Sequence, residues 1–349
     1  MPGEQQCARW AKGQGFSHFG AVVLRSIGDA FASLSKNEIE LPRRFGQLKN
    51  QLIGDSGRAI LDSWVRLLQH VEKETIPSVN EISSSIIPEV EFSSIVENGG
   101  QLPDKSKALL KERGTIVIRG LVSEKQALDW KQSVYELYWS KAQLEARAHQ
   151  NMLLAQAALN CVWSKTDQDK AVLSEAPGDK SFNLGPHLDG GSLERWEDPE
   201  YRKCYTEILQ GRWEEHDAFN GWLSLSDCAP TNGSLRVLPD LKASTAYTLL
   251  RPFVRPTPGG WDLDANSSFF HGAAMGAGQE LLPNHHPHVS PSGFVTIPRM
   301  RPGDAVFWHC DAAHMVEKEH QGKQDASVFY IPAVPLCDVN AVHLQASAR

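Results

Sequence analysis

Residues 301–317, RPGDAVFWHCDAAHMVE, read as a Pro-Gly-Asp turn, an apolar strand and a segment bearing two histidines. DAVFWH is too short for a helix and is rich in β-branched and aromatic residues between turn formers. Similar runs surround it: GWLSLSD (221–227), SLRVLP (234–239), GFVTIP (293–298) and SVFYIP (327–332), each bounded by Gly, Pro, Asn or Asp. From about residue 180 onward this rhythm predicts a sandwich or barrel of two antiparallel sheets. Between these strands, 251–293 is rich in Pro, Gly and His and reads as a long insertion or lid.

Upstream the texture is helical. Segments 43–53 and 58–71 carry apolar residues at helical spacing, and 76–106, rich in Ser, Pro and Gly, reads as a long connection. LPDKSKALLKERG predicts a short helix stopped by Gly114, followed by the β-branched strand TIVIRG (115–120). Ser123 and Gln126 are spaced as a capping box for a helix running to near Trp139, and a further helix is expected over roughly 142–160. The class is therefore α+β, with helices bracing a jelly-roll-like core.

GPHLDGGSLERW (185–196) carries the sharpest chemical signal. Residues two apart on a strand share a face, so His187 and Asp189 can present an imidazole and a carboxylate to one metal ion. Gly190 and Gly191 allow a tight backbone path beside them. A lone H-x-D is a common pattern and needs a third ligand; the segment 301–317 offers His309 at its strand end and His314 beyond it. Two histidines and one carboxylate make the facial triad of non-haem Fe(II) oxygenases, which leaves three coordination positions for co-substrate and dioxygen.

The bulk properties exclude several classes. The 349 residues carry a formal charge of −7, and Lys and Arg never run beyond a pair, which argues against nucleic acid or an anionic membrane as partner. The six cysteines (7, 161, 204, 228, 310 and 337) form no C-x-x-C pair, so zinc-ribbon and thioredoxin readings fail. No apolar stretch approaches the roughly 18 residues of a membrane helix and the first residues lack a signal-peptide core, so a cytoplasmic protein is expected. Ser224, Ser226 and Asp227 lack a G-x-S-x-G elbow, which removes the hydrolase reading. Nothing in the sequence sets an oligomeric state.

Over about residues 105–335 the chain resembles the cupin-like Fe(II)/2-oxoglutarate oxygenases of the phytanoyl-CoA-hydroxylase type. RGTIVIRGLVSEKQALDWKQ resembles their entry strand and helix, PHLDGG their H-x-D position, WLSLSDCAPTNGSLRVLPD their strand–turn–strand, and RPGDAVFWHCDAAHMVE the distal histidine, which falls on His314. HLDGGSLERW and HQGKQDASVFYIP resemble more narrowly the YbiU-like family, and some similar fungal oxygenases of secondary metabolism form an aziridine from valine. The resemblance implies a double-stranded β-helix domain over 106–349, preceded by a helical region and connection over 1–105, the two forming one compact unit. It implies Fe(II), 2-oxoglutarate and O2 as cofactors and co-substrates, and His187, Asp189 and His314 as metal ligands.

The sequence departs from that family where an arginine, about ten residues after the distal histidine, grips the far carboxylate of 2-oxoglutarate. Asp325 occupies the position, with Ser327 two residues later. Lys323 is the nearest cation, and Arg236 in GSLRVLP is the stronger expectation because a strand holds a side chain rigidly. Asn183 shares the face of His187 on an extended strand and is expected to touch co-substrate or substrate. Trp196, Phe329 and Ile331 are expected to line a pocket for a small metabolite, with an amino acid or small acid favoured because Arg251, Arg255 and Arg301 are spare cations. NHHPH (284–288) reads as a polar loop. Rival readings are a cupin-fold metalloenzyme that does not use 2-oxoglutarate and a catalytically silent binding protein.

Overall fold

A computed structural model of the chain describes residues 41–77, 80, 83–133, 140–162, 172–175, 184–199, 219–274, 278–289 and 293–333. Its strands are β1 (Glu89–Glu91), β2 (Thr115–Arg119), β3 (Val172–Glu175), β4 (His187–Leu188), β5 (Phe219–Ser224), β6 (Leu235–Val237), β7 (Val254–Thr257), β8 (Gly260–Leu263), β9 (Gln279–Glu280), β10 (Val295–Thr296), β11 (Ala305–His309), β12 (His314–Val316) and β13 (Ala326–Tyr330). Six form a large sheet in the order β1-β2-β11-β5-β13-β3, and five form a small sheet in the order β10-β6-β12-β4-β9. Apart from the parallel β1–β2 pair these pairings are antiparallel. The described strands thus make two sheets packed face to face with helices around them, the α+β arrangement the sequence predicts, and no closed jelly roll is seen among the described residues.

Register decides which side chains lie between the sheets. Val117, Trp222, Val306 and Trp308 of the large sheet meet Leu235, Val237 and Val295 of the small one in one buried cluster. The alternate residues of the large sheet, Ile116, Ile118, Leu223, Phe307 and Phe329, face outward into a second cluster with helical residues Ala127, Trp130, Ala146 and Leu159. Both faces of β11 are therefore apolar, which is why AVFWH shows no polar alternation. Burying Phe307 and Phe329 completely contributes roughly 1.5–3 kcal/mol each. Phe307 lies opposite Gly221 on β5, where a Cβ would come within 2.3 Å of its ring.

The helices cover the outer faces. Helices α1 (Arg44–Ile53), α2 (Gly57–His70), α3 (Phe92–Glu97), α4 (Asp104–Arg113), α5 (Glu124–Ser133), α6 (Lys141–Arg147), α7 (Gln150–Asn160), α8 (Glu194–Glu197) and α9 (Leu241–Leu250) follow in chain order. α4 ends at Gly114, whose φ of 72° is the left-handed stop its sequence predicts. The Ser123 hydroxyl accepts from the Gln126 N–H at 3.2 Å at the start of α5. Behind the small sheet, Trp64 of α2 packs 5.0 Å from the Tyr247 ring of α9 and joins Leu188, Ala313 and Met315.

Three expectations change. The stretch 76–106 is not a bare connection: it contains β1, which extends the large sheet, and α3. The helix expected over 142–160 is two helices, because His149 is extended (φ −64°, ψ 129°) and caps α7 through its ring, accepting from the Asn151 N–H. The insertion 251–293 contributes the hairpin β7–β8 and strand β9, which becomes an edge of the small sheet beside β4. No helix among the described residues is long and apolar enough to cross a membrane.

Candidate metal centre

β4 and β12 lie side by side, and His187 and His314 are direct partners in their register. Opposite residues of an antiparallel pair share a face, so both imidazoles point between the sheets. Their ring centroids are 4.1 Å apart. Asp189, just past β4, places Oδ1 3.7 Å from His187 Nε2 and Oδ2 3.2 Å from His314 Nε2. The ligand atoms of these three residues lie within 4.8 Å of one another.

The hydrogen bonds select the protonation state a metal needs. His187 Nδ1 is 2.7 Å from the Gly185 carbonyl and His314 Nδ1 3.0 Å from the Ala312 carbonyl. A carbonyl only accepts, so each Nδ1 carries a proton, which leaves Nε2, the nitrogen facing Asp189, as the atom each ring can offer to a metal. Burial, helped by His314, pushes His187 down to about 4. Burial opposes ionisation of Asp189, but His314, His187 and Asn220 prevail and hold it at about 2. Neutral imidazoles and an ionised carboxylate are the states that bind a divalent cation. The imidazoles are buried and the carboxylate is a third exposed, so the site opens on the Asp189 side.

The turn after Asp189 is fixed by close approach. The Asp189 and Gly190 N–H groups both donate to the Cys310 carbonyl, at 3.0 and 2.9 Å. Arg195 Nε donates to the Gly191 carbonyl at 2.9 Å, and its Nη2 pairs with Asp311 at 2.6 Å in a fully buried ion pair. A Cβ at Gly190 would sit 2.1 Å from Asp311 Oδ1, and Gly191 has φ of 91°, so both glycines of the H-x-D-G-G run are demanded by geometry. From the opposite sheet, Asn220 of β5 donates to Asp189 Oδ2 at 2.7 Å. Asn220 was not legible as a site residue, since nothing in FNGWLS marks which face it takes.

The other sequence candidates fall elsewhere. His309 occupies the outward face of β11 against Phe219, with rings 5.9 Å apart. The second cluster of metal-capable groups among the described residues, His309, Cys310 and Asp311, has its carboxylate committed to Arg195. Arg236 points away from the triad: its neighbour Val237 pairs with His314, and Arg236 Nη2 donates to the Phe294 carbonyl on the far side at 2.6 Å. Lys323 is exposed in the β12–β13 connection. Asp325 pairs with Lys131 of α5 at 2.8 Å and accepts from the Ser327 hydroxyl at 2.6 Å, which accounts for an acid there. Phe329 and Ile331 face the helices, away from the triad; Val328 and Tyr330 turn inward. Trp196 packs 5.1 Å from Phe270, with its indole N–H on the Leu249 carbonyl. Asn183 lies outside the described residues. In NHHPH, His286 is buried and His288 packs among Trp64, Tyr247 and Trp261.

Register adds polar groups on the inner face. Thr115 and Trp308 are opposite each other on β2 and β11, both buried, and the Thr115 Oγ1 and Trp308 Nε1 have no partner among the described residues. The Trp308 ring is 5.2 Å from that of His314. Glu280 of β9 is opposite His187.

The sequence profile described as Gig2-like matches residues 39–134, 131–220 and 218–349. The chain is 29% identical to GlcNAc Inducible Gene 2 of Candida albicans, covering 87% of this chain and 79% of that one, with a TM-score of 0.77. It is 26% identical to the uncharacterized protein YbiU of Escherichia coli strain K12, over 82% of this chain and 83% of that protein. The hypothetical protein JW0805 of Escherichia coli is 27% identical, over 85% of this chain and 86% of that one, with a TM-score of 0.68.

Proposed function

The chain belongs to the Gig2-like family, and from that premise and the geometry of the site we propose that it is a mononuclear non-haem Fe(II) oxygenase. The observation that carries this reading is the convergence of two imidazole Nε2 atoms and one carboxylate within 4.8 Å, with both Nδ1 protons engaged. A two-histidine, one-carboxylate set with open positions suits Fe(II) and oxygen chemistry better than the closed sulfur-rich sets of structural zinc. Bound iron supplies O2 activation for oxidation of a C–H bond, with 2-oxoglutarate as the co-substrate that the family resemblance implies. The substrate on this reading is a small metabolite, an amino acid foremost, and hydroxylation, desaturation or ring closure are alternative outcomes of the same C–H oxidation.

The protein's own part is positional. His187 and His314 present lone pairs from adjacent strands, Asn220 orients Asp189, and Trp222, Val237 and Trp308 keep the space between the sheets apolar. Arg236 and Lys323 are poorly placed to grip a co-substrate carboxylate. Thr115 Oγ1 and Trp308 Nε1 are buried inner-face donors awaiting an acceptor, and we assign the acidic end of the 2-oxo acid to them.

The test is anaerobic titration of Fe(II)-loaded protein with 2-oxoglutarate, following the weak visible metal-to-ligand band of such chelates. The band is expected in wild type and in Arg236→Ala, and is lost in His187→Ala and Asp189→Ala. The outward aim of Arg236 favours a second reading, a metalloenzyme of the same fold without 2-oxoglutarate. Tight iron binding with no band would select it, and wild-type metal affinity in Asp189→Ala would end both readings.

A further inference from the structure

The inner face of the small sheet carries a carboxyl group that the proposed reaction does not use. Glu280 lies directly opposite His187 in the β4–β9 register, so its side chain enters the same space as the two imidazoles. The residue is 7% exposed, and its Oε2 is buried without a hydrogen-bond partner among the described residues. Its backbone is held firmly. The Glu280 N–H donates to the Gly272 carbonyl at 3.0 Å, the Leu281 N–H donates to the Pro186 carbonyl at 2.9 Å, and a Cβ at Gly272 would lie 2.0 Å from the Glu280 carbonyl. Its neighbour Gln279, on the opposite face, is fully engaged with the His271 carbonyl and the Ser192 hydroxyl. The fold therefore fixes the Glu280 backbone and leaves one of its carboxyl oxygens, Oε2, buried and unbonded among the described residues, on the face that carries the candidate metal ligands.

Burial pushes the Glu280 carboxyl up to about 7; an ionised carboxylate left unpaired there is costly, and an arriving cation offsets that cost and draws the group into its charged form. On the proposed reading the metal is not that cation, since Asp189 and an acidic co-substrate already offset its charge. We propose that Glu280 is a substrate-recognition residue that receives the ammonium group of a small primary amine, such as an amino acid, bound between the sheets next to the metal. The inference rests on the oxygenase reading for its choice of site and adds the class of substrate.

The experiment uses the full chain loaded with Co(II), whose visible spectrum reports metal binding independently of turnover. Calorimetry then measures binding of the common amino acids and of their 2-hydroxy and des-amino counterparts. At least one amino acid is expected to bind more tightly than both counterparts. Glu280→Gln should weaken it by about 30-fold or more, the lower range for removing one partner of a buried charge pair, while leaving Co(II) affinity unchanged. Glu280→Asp, which keeps the charge, should retain the preference for amines. No amine preference in wild type, an undiminished preference in Glu280→Gln, or loss of Co(II) in that variant would each overturn the assignment. Failure of wild type to bind Co(II) is the distinct outcome that overturns the metal-site reading itself.

Discussion

Asn220→Ala should weaken metal binding without unfolding the protein. The Asn220 amide makes a 2.7 Å bond to Asp189 Oδ2, the same oxygen that faces His314 Nε2. A hydrogen bond to an ionised group contributes about 1.5–3 kcal/mol, and the partial exposure of this carboxylate places the bond at the lower end. Loss of an outer partner of a metal ligand typically costs 10–100-fold in affinity, about 1.4–2.7 kcal/mol, which agrees with that range. The side chain is half-buried and its strand pairing uses only backbone, so truncation should leave the melting temperature of the metal-free protein nearly unchanged. Anaerobic Co(II) titration of wild type and Asn220→Ala, with thermal melting of both metal-free proteins, measures the two quantities separately. An unchanged dissociation constant would refute the claim that Asn220 orients the carboxylate. Weaker binding accompanied by an equal loss of fold stability would reduce Asn220 to a structural residue.

Gly190→Ala should destabilise the chain by about 3–5 kcal/mol, because the added Cβ at 2.1 Å from Asp311 Oδ1 must separate the buried Arg195–Asp311 pair; a wild-type denaturation midpoint would contradict the close approach. Lys49→Ala should cost about 3 kcal/mol, since the fully buried ammonium holds Asp264, Ser267 and the Phe269 carbonyl against α1. The double variant Lys49→Met/Asp264→Leu should recover much of that loss in the same chemical denaturation. His70 sits 2.7 Å from Asp240 and 3.2 Å from Glu74; burial opposes its protonation, but the two carboxylates prevail and raise it above 6.5. Its stabilising contribution is therefore complete below that value and fades as pH rises through the folded-state value. The melting-temperature gap between wild type and His70→Gln should accordingly be wider at about pH 5.5 than at about pH 8.5; a gap that widens toward alkaline pH would falsify the ion-pair account.

The convergence of His187, Asp189 and His314 was legible in part. A spacing of two puts His187 and Asp189 together on any strand end, whereas the preference for His314 over His309 came from the family resemblance, since no short-range rule brings residues 301–317 beside them. Facing was not legible. Strands buried on both sides lose polar alternation, so nothing in SLRVLP reveals that Arg236 points outward, or in SVFYIP that Phe329 and Ile331 meet the helices. Glu280 was hidden for another reason: β9 is two residues long within a Pro- and Gly-rich segment, and strand pairing with β4 creates it. The departure at Asp325 was visible, but its meaning required Lys131, 194 residues earlier, to arrive from α5.

The candidate ligand set has a mechanical logic beyond proximity. Asp189 is held at its backbone by the Cys310 carbonyl, and Cys310 belongs to the same short connection that carries His314 into β12. That connection is anchored in turn by Asp311 to Arg195, whose guanidinium also holds the Gly191 carbonyl of the Asp189 turn. The carboxylate and the distal imidazole, separated widely in sequence, are therefore two ends of one clamped loop pair, while His187 is fixed independently by strand pairing. The head of Asp189 is then set from the opposite sheet by Asn220. A shift of either sheet relative to the other would misalign the carboxylate, because its backbone and its head are held from different sheets. Metal binding should for that reason stabilise the contact between the sheets, and not merely the strands that carry the ligands.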